Sequence, residues 1–217
     1  MRKFSIILFA MFLAVSLCGI VNATPYNVAL GTSVSLNGAD FFTGGWGGGL
    51  TVDAGTVVDG IFFPRSTQWD QGAVWWDSTD GAERYLTIDL GGVFSIESFV
   101  VQADDNDAYI LSYRDMTNNA WVTAWNIPNF DYIGDEDAWG MQTRPNPFDD
   151  LERYVLAENI ITDALRFEGA SDTMDSLFSV SEIQAYGQPI PEPATIALLG
   201  LGIAGLAGYR RKFRKQV

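Results

Sequence analysis

The chain has 217 residues, enough for one sizeable domain, with 27 acids against 13 bases, no histidine and a single cysteine. A chain without histidine performs no Ser-His-Asp or Cys-His catalysis and builds no imidazole zinc site.

Met1-Arg2-Lys3 gives a positive start, the apolar run FSIILFAMFLAVSLCGIV follows, and Val21-Asn22-Ala23 closes it. This is the pattern of a secretory signal peptide over residues 1–23, with Ala23 the last residue removed by signal peptidase. A first transmembrane helix is the alternative, and the small residue at the end of the run favours cleavage. Cys18 suggests a lipoprotein, but Leu17 stands where lipidation needs a small residue. Removing 1–23 removes the only cysteine, so the exported chain has no disulfide and no thiolate metal site.

Residues 24–188 then hold six arginines, no lysine and 26 acids, a formal charge of −20. Such a surface repels phosphate backbones, which excludes nucleic acid as a partner, and it attracts divalent cations, for which carboxylate oxygens are natural ligands. The lack of lysine excludes Schiff-base chemistry. Paired carboxylates could still hydrolyse glycosides, but among 26 acids some pair always lies at a suitable separation, so that signal has no specificity.

Between 24 and 188 no long helical period occurs. Short β-branched and aromatic runs alternate with Gly, Asn, Asp and Pro, which predicts an all-β sandwich or barrel. Gly44-Gly45-Trp46-Gly47-Gly48-Gly49 reads as a loop whose tryptophan is either a buried plug or an exposed platform. Strands are expected over 85–90, 95–103, 108–114, 121–127, 164–169 and 179–187. In YLTIDL, Leu86, Ile88 and Leu90 share one face and Thr87 and Asp89 the other, so one face packs on a core. Asp104, Asp105, Asn106 and Asp107 look like a metal cluster, but the glycine and terminal glutamate of an EF-hand loop are missing, and a strand-connecting loop is the expectation. The stretch 126–150 reads as loop, and LERYVLAENIITDA (151–164) as holding one helical turn. No internal repeat is present.

Taken together, NVALGTSVS (27–35), VVDG with STQW (57–69), YLTIDLGGVFSIESFVV (85–101), AYILSYRD with Trp121, and LRFEG with FSVSEIQAYG (165–187) resemble the discoidin or coagulation-factor C-type domain, a galactose-binding-like jelly roll, over about Asn27–Gly187. The resemblance implies a structural calcium held by Asp59, Thr67 and Glu182 with backbone carbonyls near Thr56, Ile61 and Ser181. The family loop reads D-G-N-x-x-T-x-W; here three residues are inserted between Asp59-Gly60 and Thr67-Gln68-Trp69, and Ile61 replaces the Asn. Without a metal, Asp59 is a turn residue before Gly60. The resemblance also implies core positions for Trp69 and Trp121, and ligand contacts from loops at one end. Sugar binding needs flat aromatic faces and hydrogen-bonding side chains. Trp46, Trp75, Trp76, Trp125 and Trp139, with Asp104, Asn106 and Arg144, are the candidates, and burial of about half the tryptophans is the competing expectation.

The last 29 residues differ in kind. Pro191-Glu192-Pro193 precedes sixteen uncharged residues, about 24 Å as a helix, and then Arg210, Arg211, Lys212, Arg214 and Lys215. Charges so placed stay cytoplasmic while the body lies outside. Gly200, Ala204 and Gly208 leave one helix face smooth for another membrane helix. Gly200, Gly202 and Gly205 spell G-x-G-x-x-G, yet they follow no strand, so a dinucleotide site is excluded. Residues 189–217 resemble the PEP-CTERM sorting signal, read in that family by the membrane protease exosortase. This implies a Gram-negative bacterium, a transient inner-membrane anchor, cleavage near Pro-Glu-Pro, and delivery to the cell surface or an exopolysaccharide matrix. The expected function is an exported, non-catalytic module that binds exopolysaccharide or another glycan. A structural matrix protein without a ligand, and a carbohydrate-active enzyme, are the alternatives.

Overall fold

The structure, a computed structural model, describes residues 24–38, 40–45, 52–130, 140–173, 175–190, 201–202 and 205, with the side chains of 171–173 excepted. Its strands are β1 (Tyr26–Asn27), β2 (Ser33–Asn37), β3 (Phe41–Phe42), β4 (Val74–Asp77), β5 (Tyr85–Asp104), β6 (Asp107–Arg114), β7 (Trp121–Ile127), β8 (Met141–Arg144), β9 (Tyr154–Thr173) and β10 (Leu177–Pro189), with a 3-10 turn at Ala54–Val58. Neighbours run β3-β4-β10-β5-β9-β6-β7, with β1 on β10 and β2 and β8 on β5, and every pairing is antiparallel.

The two 20-residue strands organise this jelly roll. The first part of β5, 85–89, pairs with β2 and the second half of β9; the second part, 94–103, pairs with β10. Between them the register shifts at Gly91-Gly92, and Gly91 adopts φ 71°, a left-handed bend that a side chain would resist. One strand thereby turns a corner and serves both layers.

The alternation expected in YLTIDL holds: Leu86 and Ile88 are buried and Leu90 nearly so, while Asp89 faces solvent. β10 is buried on both faces from Phe178 to Ala185, so it runs through the interior between β4 and β5. An aromatic column runs through the core from Phe41 to Trp76, Phe178, Tyr109 and Phe167, with ring centroids 5.0–5.7 Å apart. Gly169 makes room for it: a Cβ there would lie 2.3 Å from the Phe178 ring.

Three expectations need correction. Residues 154–164 are strand, not a helical turn, because Tyr154, Val155 and Ile160 to Thr162 pair with β5. The stretch 126–150 contains β8, whose four residues are all buried against β5. Trp69 and Trp121 are only half-buried; among the described residues the tryptophans in the interior are Trp75, Trp76 and Trp125. Among the described residues no helix is long and apolar enough to cross a membrane. The signal peptide, Ala23, Pro191, Glu192, Pro193, Arg210 and Arg211 lie outside them.

Candidate functional site

The loop 78–84 leaves β4 and enters β5, and it is folded by its own side chains. Asp77 Oδ1 accepts from Thr79 N–H and Asp80 Oδ1 from Ala82 N–H. Asp80 also takes a two-pronged bond from Arg84, with Nη1 and Nη2 at 2.7 and 2.9 Å from its two oxygens. This contact holds the Asp80 carboxyl well below the usual range, and Arg84 itself is buried. Asp40 Oδ2 stands 3.9 Å from Arg84 Nη2.

On one side of this loop opens a pocket of about 290 Å³, lined by Asp40, Phe42, Trp75, Asp77, Asp80 and Arg84. Its aromatic wall is layered: Phe42, half-buried, stacks on Trp75 at 4.4 Å, and Trp75 is braced by Trp69 at 5.0 Å and by donating Nε1 to Gly44 O. On the other side lies a second recess of about 310 Å³ between the loop and β9–β10, including Glu83, Glu168 and Gly169. Three carboxylates and one paired guanidinium give the first pocket an acidic, hydrogen-bonding rim around an apolar wall.

Of the expected sugar-contact residues, Trp46 and Trp139 lie outside the described residues. Trp76 is fully buried, and Trp75 is 3% exposed with its rings covered by Phe42 and Trp69, so neither offers a free stacking face. Trp125 is buried against Tyr154. Arg144 is also corrected: it is wholly buried, and its guanidinium reaches backbone carbonyls rather than solvent. Asp104 is buried too, and Asn106 half-buried. Sequence reading missed Asp40, Phe42, Asp77, Asp80 and Arg84. The signal available was Phe41-Phe42 entering the glycine-rich loop and Asp80 four residues before Arg84.

The expected calcium residues are partly brought together. Asp59 ends the 3-10 turn, exposed, with Oδ1 accepting from Ile61 N–H at 2.8 Å. Glu182 is fully buried; Gly60 N–H donates to its Oε2 and Gln184 Nε2 to its Oε1, both at 3.1 Å. Burial pushes the Glu182 carboxyl up to about 7, and the nearby Asp59 charge adds to this. Thr67 is tied elsewhere: Oγ1 donates to Pro64 O and its carbonyl accepts from Met141 N. Ser181 Oγ donates to Gln102 Oε1, Thr56 Oγ1 donates to Asp53 O, and the Ile61 side chain is exposed.

The raised Glu182 value sets a pH dependence. In metal-free protein between pH 4.5, the ordinary glutamate value, and about 7, folded Glu182 keeps its proton and the unfolded residue releases it. Folding then binds a proton, so this stability is fully present below pH 4.5 and is lost as pH rises to about 7. In chelator, the melting temperature is expected to fall between pH 5 and pH 7, and Glu182→Gln to fall less steeply (on the order of one pH-linked proton fewer). A wild-type midpoint that rises over that interval, or an equal slope in the variant, would contradict the assignment.

Residues 189–212 match the PEP-CTERM protein-sorting motif, so the jelly roll is followed by a sorting signal. No curated protein matches the chain. Among solved structures, a fucolectin from striped bass (Morone saxatilis) serum superposes with a TM-score of 0.53 and 13% identity, over 79% of this chain and 52% of that one. The chain thus spans about half the length of that lectin. Chitosan-binding module 1 of a chitosanase/glucanase from Paenibacillus sp. IK-5 aligns with a TM-score of 0.45 and 16% identity, over 75% of this chain and 99% of that module. The family 32 carbohydrate-binding module of C. perfringens NanJ, solved with galactose, gives 0.45 and 12%, over 75% of this chain and 98% of that one. The likeness is one of fold, and the fold is the galactose-binding-like jelly roll.

Proposed function

We infer that the chain is an exported, non-catalytic glycan-binding module, sorted to the cell surface through its C-terminal signal, with the sugar seated in the pocket beside loop 78–84. The observation that carries this reading is the pocket itself: an aromatic wall rigidly backed by Trp75 and Trp69, and a rim of Asp40, Asp77, Asp80 and Arg84 able to meet hydroxyls. The sorting motif supports the destination, with exosortase as the processing partner and the host exopolysaccharide as the nearest glycan. The glycan-binding proteins that share the fold support the ligand class by analogy.

The rim's charge sets the preference. Three carboxylates face one guanidinium already matched by Asp80, so neutral and amino sugars fit, whereas uronate and sulfated glycans meet repulsion. On a glycan panel including the host exopolysaccharide, retention is expected on neutral or amino-sugar polymers and not on polyuronates. Retention on no glycan would favour a structural matrix role, and retention only on polyanions would contradict the pocket assignment.

Calcium belongs to the same reading. The Asp59 charge reaches Glu182, whose Oε2 accepts from the N–H of the next residue, Gly60, and two carboxylates suit a hard cation; Thr67, bonded to Pro64 and Met141, does not join them as a side-chain ligand. An ion there would neutralise the two carboxylates and pin the Asp59-Gly60 turn to β10.

A further inference from the structure

Asp104 ends β5, Asp107 begins β6, and Asp105-Asn106 is the two-residue turn between them. Sequence spacing makes this a connecting loop, but the structure buries it: Asp107 has no exposed surface and Asp104 is 3% exposed. Both carboxylate oxygens of Asp107, Oδ1 of Asp104 and Oδ1 of Asn106 are buried without a hydrogen-bond partner among the described residues. Four acceptor oxygens in one corner, with no donor on any of them, is an arrangement that folded proteins avoid unless an ion or water completes it.

Arg144, the buried cation at this corner, does not complete it. Its Nη1 donates to the carbonyls of Ala103 and Gln142 and its Nη2 to those of Asp104 and Asp105, while Nε has no acceptor. The negative side is heavier: Asp105, Asp175 and Asp104 all press on Asp107, and Tyr109 lies close enough to feel both buried carboxylates. Asp105 is engaged elsewhere, accepting from Gly140 N–H at 2.8 Å.

The geometry points to a cation site at the β5–β6 corner, for a hard divalent ion of the calcium class, with Asp104 Oδ1, Asn106 Oδ1 and the two Asp107 oxygens as protein ligands. Two carboxylates and one amide oxygen, all hard, match calcium's preference among biological cations, and water supplies the rest of its six to eight ligands. Magnesium fits less well, since it demands near-octahedral geometry and gives up its water reluctantly to a site with four protein oxygens. This site stands on other elements than Asp59–Glu182 and does not depend on it or on glycan binding.

The test uses the full chain in detergent micelles, titrated with calcium chloride by calorimetry at pH 7.5 and melted with and without chelator. Glu182→Gln is expected to retain one calcium equivalent, and adding Asp104→Asn and Asp107→Asn to lose it. Asp107→Asn alone removes buried repulsion without changing shape; in chelator it is expected to melt at or above the wild-type temperature, which shows that it folds, and to lose the calcium-induced rise from this site. Binding of no calcium by Glu182→Gln, or binding unchanged by the Asp104 and Asp107 substitutions, would overturn the site. An equal thermal rise with magnesium would overturn the calcium class.

Discussion

Arg144→Met is expected to destabilise the fold by about 3–5 kcal/mol, which in a domain of this size lowers the melting temperature by roughly 10 °C or more. Methionine fills much the same volume, so the loss comes from polarity. Four carbonyls, those of Ala103, Gln142, Asp104 and Asp105, lose their donor inside the protein, and the buried aspartates beside them lose their nearest positive charge. The Phe130 ring, 4.8 Å from the guanidinium carbon, loses its cation as well. Arg144→Lys restores charge but not the planar fork that reaches four carbonyls, and should fall between the two. Circular-dichroism melts of the three proteins decide this. A methionine variant melting within about 2 °C of wild type would show that the carbonyls find other partners.

Trp76→Ala is the second large effect, about 3–5 kcal/mol, through lost packing rather than lost polarity. Trp76 is fully buried between Phe41 and Phe178, at 5.6 and 5.5 Å, in the middle of the aromatic column that ties β3 and β4 to β10. Truncation leaves a cavity between the cross-strand partners Phe41 and Phe178, and Gly169 offers no side chain to refill it. Denaturant unfolding should show a lower midpoint. Trp76→Phe, which keeps a ring in the column, should recover a good part of the loss; if it recovers none, the column is not what Trp76 supports.

The strands that read most clearly were those with one solvent face: Leu86, Ile88 and Leu90 alternate with Thr87 and Asp89, and period 2 is visible without a structure. β9 was misread at its start because Glu158 and Asn159 interrupt the apolar pattern, and only pairing with β5 makes Tyr154–Ile161 a strand. β8 was hidden because four residues are too few to show a period and its polar Gln142, Thr143 and Arg144 are all buried. The site was harder still. Tryptophans attract attention in a sequence, yet Trp75 and Trp76 work as backing and core, while the pocket wall is Phe42, a residue that composition does not single out. Arg144 was misplaced for a related reason: an arginine in a loop-like stretch reads as solvent-facing until the carbonyls it collects are seen. The tail, by contrast, was legible because its meaning is linear: Pro-Glu-Pro, an apolar run and a basic end need no fold to be recognised.

The most direct test of the account is the affinity of the wild-type chain and of Phe42→Ala for one glycan that the wild type retains, measured by calorimetry. Phe42 forms the pocket's aromatic wall without being part of the deep core, so its loss should leave a cooperative melt and weaken binding about tenfold or more. Equal affinity of a folded Phe42→Ala protein would place the sugar elsewhere and contradict the pocket assignment.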